Sequence, residues 1–141
     1  MIVQGEIVEF EADGFERDIC LKTEKSKMWC SLLEEEYAPT ADQVDKLKIG
    51  QHVHFVLELE WVCEVKCLIQ RPLEIGIKQN LPRSTHATVT GVVKEVESSD
   101  SMVLEIGAGT TIRVELEQDH KIQKGTYVIV EGNLRAEFVK S

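Results

Sequence analysis

The sequence predicts an all-β protein arranged as two small five-stranded barrels in tandem, with one short helix in the first. Three observations carry that reading. Residues 48–61, KIGQHVHFVLELEW, open at Gly50 and alternate apolar and polar side chains for almost their whole length, the pattern of a half-buried strand. A shorter relative recurs as residues 124–134, KGTYVIVEGNL, with Gly125 in the place of Gly50. Residues 87–97, ATVTGVVKEVE, likewise echo VQGEIVEFE at residues 3–11, Gly91 matching Gly5.

In chain order, MIVQGEIVEFE reads as a first strand, and Asp13-Gly14 as a turn. A second strand over 15–22 and a third over 28–33 flank a polar hairpin loop, TEKSK. On the third strand Met28, Cys30 and Leu32 share one face, and Lys27, Trp29 and Ser31 the other. Thr40 and Gln43 have capping-box spacing. With Lys46 and Lys48 in the last turn and Gly50 just beyond, they predict a helix over 40–48. In the long strand Val53, Phe55, Leu57, Leu59 and Trp61 are expected to face the core, and His52, His54, Glu58 and Glu60 the solvent. Residues 62–70, VCEVKCLIQ, are read as its partner strand, with Cys63 and Cys67 inward. Residues 71–85 hold two of the three prolines and form a packed linker between units at 1–70 and 86–141. In the second unit strands follow around Ser98-Ser99-Asp100 and Gly107-Ala108-Gly109, and 135–140 is expected to be a short edge strand.

The order of strand with central glycine, hairpin, helix, then a glycine-led alternating strand resembles the oligonucleotide/oligosaccharide-binding (OB) fold. That fold is a five-stranded, partly open Greek-key barrel. The resemblance rests on spacing and alternation over 1–70 and 86–141, so it carries over no functional residues. It implies a helix between the third and fourth strands, where 40–48 falls. The second unit has only EQDHKIQK at that point, which leaves it open between an OB-like and an SH3-like barrel.

Composition narrows the function. The net charge of −9 is uneven: residues 1–70 carry 7 Lys/Arg against 15 Asp/Glu, and residues 71–141 carry 9 against 10. Such a balance disfavours phosphate-backbone binding, which relies on several cations. No apolar run approaches the roughly 18 residues of a membrane span. The amino-terminal segment lacks the basic start and apolar run of a signal peptide, so the expected location is the cytoplasm, with the four cysteines reduced.

Candidate chemistry is sparse. Cys63 and Cys67 on one strand stand ~13 Å apart, too far for both to reach one zinc ion through bonds of about 2.3 Å. Alternation leaves Cys20 on the exposed parity and Cys30 in the core. His52 and His54 offer two imidazoles about 7 Å apart, with no third ligand in view. No nucleophile–base set, phosphate loop or dinucleotide fingerprint is present, so neither an enzyme, a metal nor a cofactor is expected. The remaining candidate is the second-to-third-strand hairpin, where Arg17, Lys22, Lys25, Lys27 and Trp29 gather. In an OB-like fold that face could stack a base on Trp29 and hold phosphate with the cations. The sequence thus predicts a non-catalytic module binding a protein partner, with single-stranded nucleic acid at the hairpin as the alternative.

Overall fold

The computed structural model describes residues 2–13, 16–32, 48–107 and 109–139. The fold is all-β, with strands β1 (Val3–Asp13), β2 (Glu16–Lys22), β3 (Lys27–Leu32), β4 (His52–Leu68), β5 (Gly76–Lys78), β6 (His86–Ser98), β7 (Ser101–Glu105), β8 (Thr111–Glu115) and β9 (Tyr127–Phe138). The helix expected over 40–48 falls almost wholly outside the described residues.

The strands close into two cycles of five. One runs β1-β2-β3-β9-β4 and back to β1, antiparallel except for β3 beside β9, where Ser31 meets Arg135 and Leu32 meets Ala136. The other runs β6-β7-β8-β4-β9 and back to β6, antiparallel except for β8 beside β4, where Ile112 meets Leu57 and Val114 meets Leu59. Strands β4 and β9 therefore belong to both cycles. They cross antiparallel with Leu59 opposite Leu134, and both leucines are fully buried.

The matched glycines do matched work. Gly5 pairs with Val53 and Gly91 with Val128. Gly50 at φ +92° and Gly125 at φ +91° take the left-handed conformation that glycine tolerates. The Gly50 amide donates to Ile7 O (2.7 Å) and the Gly125 amide to Val93 O (2.8 Å). The register slips between Ile7 and Glu9 on β1 and between Val93 and Glu95 on β6, so each first strand carries a bulge at its equivalent point.

Several expectations are corrected. Residues 62–68 do not turn back as a partner of the long strand; they continue it. The register shifts between Glu60 and Glu64, and Trp61 adopts φ 50°, so the alternation breaks there. Trp61 is consequently 68% exposed and not in the core, and Cys63 and Cys67 are exposed as well. Residues 135–138 are no edge strand: they continue β9 between β3 and β4, with Ala136 fully buried. Cys20 is buried and not on an exposed face; the linker reaches its cross-strand neighbours Glu9 and Trp29. There the Gln79 side chain reaches Trp29 and Arg83 reaches Glu11 (3.2 Å) and Glu9 (3.8 Å). Beside them, Ile77 packs against the core.

Candidate functional site

The basic hairpin is built by a tight turn in which the Thr23 amide donates to Ser26 O at 2.8 Å. That turn sets Lys22 directly opposite Lys27, and residues in such register hold their Cβ atoms about 4.5–5.5 Å apart. Both lysines and Lys25 at the tip are exposed. Like charges facing each other across a strand pair repel, and no ion pair to any of the three occurs among the described residues. Register extends the row across the sheet: Glu6 is opposite Lys22, and His52 is opposite Glu6.

The other two members of the predicted face are placed differently. Arg17 lies on β2 opposite Ala12, five residues from Lys22 and so roughly 17 Å along the strand. Trp29 is half-buried, and its backbone is clasped by the linker. The Trp29 amide donates to Gln79 Oε1 at 2.8 Å, and Gln79 Nε2 donates to Trp29 O at 2.8 Å and to Ser84 O at 3.3 Å. Gln79 thus occupies the place a neighbouring strand would take. The structure gathers Lys22, Lys25 and Lys27, while Trp29 is engaged with the linker.

A second cluster sits where β4 and β9 cross, a feature the sequence reading assigned to solvent. Glu58 is 4% exposed and is bonded by Arg135 Nη2, with Arg113 Nη1 3.8 Å away. Arg135 Nη1 donates to Glu60 at 2.6 Å. Asn133 Nδ2 donates to Glu60 (3.2 Å) and Ser31 Oγ (2.8 Å), and Thr85 Oγ1 donates to Asn133 Oδ1. Arg113 also holds Glu97 through two bonds, at 2.9 and 3.2 Å. Burial pushes the Glu60 carboxyl above the usual range against the opposing pull of Asn133, and Glu115 and Glu117 add to the rise. Burial likewise pulls the Arg135 guanidinium down and pushes the Cys30 thiol up. With its charges committed to one another, this cluster fixes the crossing register.

A cavity of about 460 Å³ opens beside the second half of β4, lined by Val62–Val65, Cys67, residues 116–120 and Ile122. Its charged lining groups, Glu64, Glu117 and Asp119, are acidic. Among the described residues no group of three His, Cys, Asp or Glu side chains is arranged to hold a metal ion. His52 and His54 face solvent.

No family model matches the sequence, and no curated protein matches it either. A solved structure does resemble it: the cytoplasmic molybdate-binding protein ModG, in a PEG-grown form with molybdate bound, is similar over 96% of this chain and 94% of that one. The TM-score is 0.53 at 15% sequence identity, a likeness of fold that supports the OB-like reading at the level of a β-barrel. That neighbour is a binding protein and is described as cytoplasmic; no helix among the described residues here is long and apolar enough to cross a membrane. The expectation of a protein partner is corrected by this comparison, since what the neighbour binds is a small ligand. The nucleic-acid alternative gains no support from it. What the chain shares with ModG is a β-barrel architecture over nearly its full length.

Proposed function

We propose that the protein is a non-catalytic, cytoplasmic binding module for a small inorganic oxyanion, held at the hairpin by Lys22 and Lys27 with Lys25 at the tip. The observation that carries this reading is the direct Lys22–Lys27 pairing, a like-charge pair in an otherwise acidic half of the chain. An anion seated between the two ammonium groups turns their repulsion into two charge-assisted hydrogen bonds. The class of ligand is supported by the fold neighbour, a molybdate-binding protein. A net charge of −9 repels anions elsewhere on the surface, so binding depends on these lysines.

Isothermal titration of the intact protein with molybdate, tungstate, sulfate and phosphate tests the proposal. At least one tetrahedral oxyanion is expected to bind, more weakly as salt rises. Replacing Lys22 and Lys27 together by Ala is expected to weaken that binding at least tenfold, since hydrogen bonds to charged groups contribute about 1.5–3 kcal/mol each. Failure of all four anions to bind, or binding that survives loss of both lysines, overturns it.

A further inference from the structure

Residues 61–69, WVCEVKCLI, form the part of β4 beyond its crossing with β9. On one side residues 64–68 pair with β9. On the other, no strand pairs with them among the described residues, because β8 meets β4 only at Leu57–Leu59. The outer row of backbone N–H and C=O groups is therefore unpaired by any strand among the described residues, and residues 62–65 and Cys67 line the 460 Å³ opening together with residues 116–120 and Ile122. Residues 63–67 are all exposed, Val65 among them at 39%, and on either side Trp61 is 68% and Ile69 102% exposed. A bare edge of this kind, rich in apolar side chains, is a template for strand addition.

The sequence along this edge is self-complementary. If two copies meet antiparallel with Val65 opposite Val65, Glu64 faces Lys66, Cys63 faces Cys67, Val62 faces Leu68 and Trp61 faces Ile69. Every position finds a partner of matching chemistry, as a two-fold interface requires. The charges also need that partner. Glu64 stands opposite Glu131 within its own sheet and Lys66 opposite Ile129, and neither makes an ion pair among the described residues. We propose that the exposed edge of β4 at residues 61–69 is a homodimer interface, in which two copies of this chain pair antiparallel about Val65. Five to nine residues of one strand bury little area, so the dimer is a weak, concentration-dependent one. This is independent of the ligand at the first hairpin.

Sedimentation velocity of the full chain over a hundredfold concentration range reads the equilibrium. A monomer–dimer exchange is expected. Glu64→Lys or Lys66→Glu alone should weaken it roughly ten- to thirtyfold, by turning two attractive cross-strand pairs repulsive. The double exchange should restore it. Thiol cross-linking fixes the register: with diamide as the two-electron oxidant, two thiols lose two protons and two electrons to form one disulfide. Cys63→Ser and Cys67→Ser variants should each fail to cross-link alone, because like cysteines stand ~13 Å apart in this register. Mixed together, they should form the Cys63–Cys67 bond. A monomer at every concentration, a dimer indifferent to the single charge changes, or cross-linking by the Cys63→Ser or the Cys67→Ser variant alone would each overturn the proposal.

Discussion

Glu60 and Glu58 compete for one guanidinium. Arg135 reaches both. Burial disfavours ionisation of Glu60, against the pull of the Asn133 bond, and Glu115 and Glu117 add negative charge nearby, so its carboxyl holds its proton to higher pH than its ordinary 4.5. The native state then binds more protons than the unfolded chain between 4.5 and the raised value. Stability from this group is complete below that window and is lost as pH rises through it. Glu60→Gln keeps the shape and removes the titration. In thermal melts the two proteins should unfold alike near pH 4, and the variant should be the more stable by pH 7. A wild type that gains on the variant as pH rises would mean that the Arg135 bond outweighs burial. None of this was legible beforehand: on parity Glu58 and Glu60 belong to a solvated face, and only the passage of β9 across β4 buries them.

At the scale of elements, alternation located the strands but could not choose their neighbours. Met28, Cys30 and Leu32 alternate inward as expected, since a hairpin with a short polar turn fixes its own pairing. The second half of β4 misled because the register slips by two residues after Glu60, with Trp61 at φ 50°; Val65 and Cys67 keep the parity of Leu59, opposite Val130 and Val128, yet residues 63–67 lie exposed beyond the crossing. Trp61, Cys63 and Cys67 then fall outside the core. That Gln79 stands in for a strand was not legible: a lone glutamine carries no periodicity. Yet Gln79 satisfies both the amide and the carbonyl of Trp29. Gln79→Ala is expected to destabilise the protein by about 1–3 kcal/mol, the cost of leaving such backbone groups without partners. It should also red-shift the fluorescence of Trp29, read in a Trp61→Phe background, as the linker lifts. Unchanged emission and stability would show that the clasp contributes nothing.

At the scale of the whole molecule, the repeated glycines made two barrels legible, while the exchange between them was hidden. A period-two pattern says which face is buried, not which sheet the strand enters. The fifth strand of the first cycle is the end of β9, where Leu134 and Ala136 are fully buried, and that of the second cycle lies on β4. Neither cycle closes without chain from the other half. We propose that units 1–70 and 86–141 are for this reason cooperative and do not unfold separately, because melting either barrel strips a strand from its neighbour. The buried Glu58–Arg135 pair sits at the shared crossing, where breaking it leaves an uncompensated buried charge that costs about 3–5 kcal/mol. Calorimetry of the full chain should give a single transition whose calorimetric and van't Hoff enthalpies agree. Leu134→Ala at the crossing should lower that one midpoint without splitting it. Two separable transitions, in either protein, would mean that each barrel holds its borrowed strand independently of the other.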